Sequence, residues 1–392
     1  MMGIHHFFVL LMIFFCQNKR NLHKEKRSTK KKQISRRLTN ATYSPNISIP
    51  LGSRFFFANR QDKKKHTHME VQPTTCRKTP LRIRIFADFC TGQHAAAVYE
   101  RVHELALSDF FGRDYYFTTD DEYTHAILLN TTMPKLREGI PKSHVVGLAF
   151  EPVQYLKFTR DYPEYASKHV GKYYLGTNEP FPPALKSTFV ERYGYMWHVT
   201  PPRTYQEIDE AQARAVQEGQ SMFSMVVSEK RSAPGHQYRW LMALSILKDP
   251  SLQVDIWGRG CQVIRDKYPQ YAHDKRLRGP FREYEPYTGY RYHIAIENFG
   301  LPHYFSEKVV NPLLMGCTPI YLGCGAIEQY FPHLIITLTG DIKEDLGRLR
   351  SLMEYPDMYA DIFMDDAKWD KVKDTISIEN VIREWLVPPH TK

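Results

Sequence analysis

The chain has 392 residues, 42% of them hydrophobic and 24% charged, enough to build two domains with their own cores and too apolar for a disordered protein. A formal charge of +10 suggests a nucleic-acid binder only until it is located: ten bases and one acid fall between residues 17 and 39, and everything else is nearly neutral. Bases packed together without interleaved aromatics form a solvated or membrane-proximal tail, so no nucleic-acid partner is expected.

Residues 1–16 hold no Asp, Glu, Lys or Arg, and Phe7 to Phe15 is wholly apolar. As a helix this stretch reaches about 24 Å, short of a hydrocarbon core of about 30 Å. Positive charge follows the run instead of preceding it, and Cys16-Gln17-Asn18-Lys19 makes a poor cleavage site. Two readings stand: a short uncleaved signal-anchor with possible membrane association, or a hydrophobic start on a soluble protein. The positive-inside rule keeps the following bases cytoplasmic, whereas glycosylation triplets at Asn40, Asn46 and Asn130 suit a luminal body. Residues 17–80 are basic and polar with little periodicity and are expected to form a stem or linker. Six scattered cysteines with no Cys-x-x-Cys pair give a structural zinc site no support.

Leu81-Arg-Ile-Arg-Ile-Phe alternates as a strand does, and Gln93 to Leu107 has helical spacing. Tyr123 to Leu129 and Val145 to Phe150 are short apolar runs suited to buried strands. A charged helical stretch from Gln206 to Gln217 reads as a connector. Beyond it Ser221–Val227, Val254–Trp257, Tyr292–Ile296 and Thr318–Leu322 read as strands, with a helix over Tyr238–Leu247 and an amphipathic helical tail after Asp341. Strand and helix alternating in this way predict an α/β fold of two doubly wound parallel sheets, facing a cleft at the carboxyl ends of the strands. The expected divisions are 81–205, 206–340 and a tail over 341–392 that packs back.

The stretch from Tyr290 to Gly323 parses as strand, loop, helix and strand. Glu297 and Asn298 close the first strand at the edge where a ligand would sit. Ser306 is the expected N-cap of the helix, with Glu307 well placed in its first turn. Lys308 breaks the rule, since a cation there meets the positive end of the helix dipole. An anion bound at the terminus would make Lys308 and the free N–H groups allies in holding phosphate; a surface lysine is the plainer alternative. Pro312 would forfeit a backbone bond to Lys308 and bend the helix.

Glu297-Asn298, Tyr304-Phe-Ser-Glu307-Lys308 and Leu314-Met-Gly316-Cys-Thr-Pro319-Ile-Tyr-Leu-Gly323 together resemble the donor-binding signature of glycosyltransferase family 10, the α-1,3/α-1,4-fucosyltransferases. Ser228-Glu-Lys-Arg-Ser-Ala-Pro-Gly235-His236-Gln-Tyr-Arg239 is similar to the segment that opens that family's donor domain and supplies an arginine to the diphosphate. Gln237 stands where many members have that arginine, so Arg239 is either its replacement or a base on the helix surface. Val145 to Pro152 ends in Glu151-Pro152 and resembles the element carrying the family's general base. Phe299 replaces the usual serine after Asn298, and Ser306 replaces threonine with its hydroxyl kept.

The resemblance implies a GT-B fold of two Rossmann-like domains, the first on the acceptor side and the second on the donor side. It also implies transfer of L-fucose from GDP-fucose to a hydroxyl of an acceptor oligosaccharide or glycoconjugate, with inversion and α-1,3 linkage. Glu151 would act as general base and Lys308 in catalysis; Arg239, Glu297, Asn298, Tyr304, Ser306, Glu307 and Lys308 would bind the donor. Phosphate held on fixed cations needs no metal cofactor, and the chain has no Asp-x-Asp triplet; Mn²⁺ stimulation stays open. The location implied is the Golgi membrane, as a single-pass type II protein if residues 1–16 anchor, and the cytoplasm otherwise. The alternatives are a GT-B transferase for another nucleotide sugar and a non-catalytic glycan-binding relative.

Overall fold

The computed structural model describes residues 79–103, 114–156, 158–196, 206–208, 210, 221–282, 284–355, 358 and 366–386. The hydrophobic start, the basic stem and most of the 206–217 connector lie outside the described residues, as do Asn40 and Asn46. Among the described residues no helix is long and apolar enough to cross a membrane.

The first half runs β1 (Leu81–Ala87), α1 (Gly92–His103), β2 (Tyr115–Phe117), β3 (His125–Leu129), β4 (Val145–Leu148), α2 (Tyr162–His169), β5 (Lys172–Leu175) and β6 (Phe189–Glu191). These strands form one parallel sheet in the order β2-β1-β3-β4-β5-β6. In β1 the alternation does the sorting: Leu81, Ile83 and Ile85 are buried and the residues between them are half-buried. The central strands β3 and β4 are buried at every position, as parallel strands are when helices cover both faces.

The second half runs β7 (Ser221–Val226), α3 (Pro234–Lys248), β8 (Val254–Trp257), α4 (Gly260–Lys267), β9 (Leu277–Gly279), β10 (Tyr290–Ile296), α5 (Glu307–Leu314), β11 (Thr318–Leu322), α6 (Ile327–Tyr330) and β12 (Ile336–Thr337). Its strands are also parallel, in the order β12-β11-β10-β7-β8-β9. The chain winds outward from β7 through β8 to β9, then returns to β10 on the other side of β7. That reversal leaves a crevice at the carboxyl ends of β7 and β10, where doubly wound sheets bind ligands. The expected α/β architecture of two Rossmann-like, doubly wound halves is present.

Helix α3 begins at Pro234, four residues before the helical spacing becomes visible, because proline suits the first helical position. Asn130, the glycosylation candidate in the body, is buried at the end of β3, and its Oδ1 accepts the Phe150 N–H at 2.9 Å.

The halves share apolar packing. Tyr193 from the first stacks on Phe305 from the second with ring centroids 3.9 Å apart, and the His303 N–H donates to the Gly176 carbonyl at 2.9 Å. Helix α7 (Ile342–Glu354) is capped by Asp341 and lies against α3, where the Tyr238 hydroxyl donates to Asp345 at 2.5 Å. Helix α8 (Asp366–Ile376) packs against α5 of the second half, and α9 (Glu379–Leu386) returns to the first half. There Glu384 of α9 accepts from Lys172 at 2.7 Å, Arg192 at 2.6 Å and the Tyr174 hydroxyl at 2.9 Å.

Burial raises the Glu384 carboxyl, but Lys172, Tyr174 and Arg192 outweigh it and hold the group below the ordinary glutamate range. A depressed carboxylate stabilises the fold above its unfolded-state pKa and loses that contribution as pH falls through the folded one. Glu384→Ala should cost about 1–3 kcal/mol near neutral pH, since it strands a hydroxyl and two cations. Thermal unfolding should show the difference from the parent chain at pH 7 and show it shrink as pH falls through the lowered carboxylate range.

Candidate active site

Helix α3 starts directly on the end of β10. The Gly235 N–H donates to the Asn298 carbonyl at 3.0 Å, and a Cβ at Gly235 would stand 1.7 Å from the Glu297 carbonyl oxygen. Only glycine lets the helix approach so closely, and its positive end is thereby set in the crevice at the switch point. One turn on, Arg239 is buried; Nε donates to the Gly235 carbonyl at 3.2 Å and Nη2 to the Asn298 side-chain oxygen. Gln237 is exposed on the other side of the helix. The surface-base reading of Arg239 is therefore excluded.

Ser306 caps α5 as expected, with extended backbone and a hydroxyl accepting the Lys308 N–H at 3.4 Å. The same hydroxyl donates to the Glu297 carboxylate at 2.9 Å, and the Ser306 N–H donates to Glu297 Oε1 at 2.8 Å. Lys308 folds back over this cap. Its Nζ lies 2.8 Å from Glu307, 3.0 Å from the Ser306 hydroxyl and 3.5 Å from Glu297. Two carboxylates thus compensate the cation that the helix dipole disfavours.

The charges follow from this packing. Burial pushes the Glu297 carboxyl up, with Lys308 and Ser306 opposing. Burial would lower the Lys308 ammonium, but Glu307 and Glu297 together hold it above its usual range. Glu307 would rise through burial and is instead held down to about 2 by Lys308 and Ser306. Arg239 is lowered by burial, with Glu297, Glu307 and Tyr155 opposing. His236, on the first turn of α3, is driven down to about 4 by burial and by Arg239, Lys230 and Lys308; it is neutral and accepts the Ala233 N–H at 3.2 Å.

Glu151 comes from the first half, just past the carboxyl end of β4, and faces this cluster. Desolvation lifts its carboxyl above the ordinary value; Lys308 and Lys230 pull it down, while Glu307 and Glu297 push it up. Its electrostatic neighbours are thus the residues at the start of α5, across the crevice. The approach depends on Gly176 at the end of β5, where a Cβ would stand 2.4 Å from the Tyr304 Cβ.

All the predicted site residues gather around one crevice, in two layers. Lys308, Glu307 and Asn298 reach its surface, and Glu151 is exposed opposite. Glu297, Ser306 and Tyr304 are buried behind, with the Glu297 side chain fully enclosed, so they orient their neighbours instead of offering free groups. Lys230, His236 and Tyr155 also belong to the site and were missed. Lys230 and His236 sit in the segment around Gly235 with no local rule broken to mark them, and Tyr155 is brought in only by the Pro152 turn. Among the described residues no group of three His, Cys, Asp or Glu is placed to hold a metal ion.

No family model matches the chain. Over 72 residues it is 36% identical to Alpha-(1,3)-fucosyltransferase B of Drosophila melanogaster, a match covering 18% of this chain and 16% of that relative's length. The chain resembles the α-1,3-fucosyltransferases. Among solved structures, one described as an alpha1,3-fucosyltransferase is 12% identical over 75% of this chain and 84% of its own, with a TM-score of 0.45. A second, described as an alpha1,3-fucosyltransferase with GDP-fucose, is 14% identical over 80% and 93%, with a TM-score of 0.39.

The cap at Ser306 generates a direct test. Ser306→Ala removes the helix cap and the hydroxyl's bond to an enclosed carboxylate while the backbone N–H bond stays, and should cost about 1–3 kcal/mol in urea unfolding. Ser306→Thr restores the hydroxyl and should stay within about 1 kcal/mol of the parent chain.

Proposed function

We propose that the chain is an inverting glycosyltransferase that moves L-fucose from GDP-fucose to a hydroxyl of an acceptor glycan, in α-1,3 linkage. One observation carries the reading: Lys308 and Arg239 converge with the starts of α3 and α5 at a switch point, and Glu151 faces them from the other half.

The diphosphate of GDP-fucose sits on the cationic side, where N–H groups at two helix starts and two fixed cations favour it. Glu151 takes the proton from the acceptor hydroxyl as its oxygen bonds to the anomeric carbon of fucose. The bond from that carbon to the phosphate oxygen breaks, and its electron pair leaves with GDP. Lys308 and Arg239 stabilise the charge that grows on the leaving phosphate, which lowers the barrier most when the donors are already in place. Glu297 and Ser306 act as positioning residues by fixing Lys308, while Asn298 and Glu307 reach the sugar side. Tyr304 packs the loop against Gly176. The acceptor glycan lies on the first half, beside Glu151. Attachment at the Golgi membrane rests on residues 1–16 and is proposed with the same reading.

A base must be ionised to act, so the acid limb of kcat/KM should lie above the ordinary carboxylate pKa, in line with the raised Glu151. With GDP-fucose and a mixed pool of galactosides and N-acetylglucosaminides, mass spectrometry should detect fucosylated product. Glu151→Gln should reduce transfer by at least about a thousandfold with GDP binding kept, and Lys308→Ala should lower both. Full transfer by Glu151→Gln would place the base elsewhere.

A further inference from the structure

The first sheet has a switch point of its own. The chain leaves β1 for β2 on one side and returns to β3 on the other, which opens a crevice at the carboxyl ends of these strands. Glu151 follows β4 on the same edge, two strands from β1 and three from β2, about 10–14 Å away across the sheet. Helix α1 starts close upon β1, since a Cβ at Gly92 would stand 2.0 Å from the Ile85 carbonyl oxygen. Beside that start lies a cavity of about 310 Å³, lined by Gln93 and by Thr118, Thr119 and Thr132 from beyond the ends of β2 and β3. The side chains of Gln93, Thr119 and Thr132 bond to no described residue, which leaves an amide and two hydroxyls for a ligand. Arg84, the one charged residue among those described in the lining, is already paired with Asp121. Phe89 follows β1 between Ala87 and Cys90 of that lining and is 48% exposed. Its ring centroid lies 5.7 Å from that of Phe150, the residue before Glu151. Asp88 ties the end of β1 to that of β3 by accepting the Thr131 N–H at 3.1 Å and the Thr131 hydroxyl at 2.9 Å.

We propose that Phe89 and this cavity form an extended acceptor subsite, which holds the sugars of a neutral glycan beyond the residue that receives fucose. The inference rests on the transferase reading above and adds the length and charge of the acceptor. A pyranose offers a face of C–H groups and a rim of hydroxyls. An exposed aromatic ring covers the first, and uncharged hydroxyl and amide groups pair with the second. The volume stands at the low end of the about 300–1,000 Å³ of small-molecule pockets, and suits about one or two sugar rings. With Arg84 engaged by Asp121, the lining favours a neutral chain over a sulfated or sialylated one. The separation from Glu151 assigns the cavity to later sugars: a disaccharide anchored at the base reaches Phe89, and only a longer chain enters the cavity.

The experiment measures Kd by saturation-transfer NMR on the full chain loaded with GDP, for the disaccharide N-acetyllactosamine and for a hexasaccharide built of that unit. The hexasaccharide should bind at least about tenfold more tightly. Gln93→Ala combined with Thr132→Val removes an amide and a hydroxyl from the cavity and should cut that advantage at least about fivefold. Phe89→Ala should weaken both glycans, and Phe89→Trp, still aromatic, should restore them. A sulfated hexasaccharide should gain nothing over the neutral one. GDP affinity is the folding control; if the double variant loses it, Thr119→Val reads the same advantage. Equal affinities for the two glycans, binding of neither, or an advantage unchanged in a GDP-binding variant overturns the extended subsite, while fucose transfer by the same sample keeps the transferase reading. A parent chain that binds no GDP and transfers no fucose overturns the transferase reading itself.

Discussion

The site is organised around a buried carboxylate. Glu297 is enclosed just past the end of β10, shut off from bulk solvent, and Ser306 supplies two bonds to it. Those bonds fix the first turn of α5 and the place of Lys308, whose ammonium completes the set. A lysine at the start of a helix is unfavourable alone. Here the interior of the sheet edge holds it there, and a cation fixed before any ligand arrives needs little rearrangement to receive an anion.

The two halves contribute unequal things. The second half presents positive potential at its switch point through α3, α5, Arg239 and Lys308. The first presents Glu151 on a short strand exit, desolvated enough to raise its proton affinity. Gly176 against Tyr304 and Tyr193 against Phe305 keep the halves at the separation that brings these groups face to face. Helix α8 packs on α5 and α9, anchored by Glu384, returns the end of the chain to the first half, which adds to that coupling.

Much of this was legible in the residues. The alternation of β1, the apolar runs of β3, β4 and β10, and the Ser306 cap each carry a local signal that tertiary structure did not override. Lys308 was legible as an anomaly, but its compensation was not, because Glu297 is eleven residues away and reaches it only through the fold. The direction of Arg239 was hidden for a similar reason: helical spacing alone does not say which face Gly235 presses onto the sheet. Short edge strands such as β2, β9 and β12 were missed, since two or three residues cannot show a period and their pairing comes from neighbours. The glycosylation triplet at Asn130 misled because a triplet says nothing about burial.

The central claim is that the crevice recognises a diphosphate and not merely a base or a sugar. Titration calorimetry of the full chain with GDP and with guanosine isolates that term. The account predicts that GDP binds at least about a hundredfold more tightly than guanosine, with the gap narrowing as salt rises and screens the cations. Equal affinities for the two, or no heat with either, would contradict it.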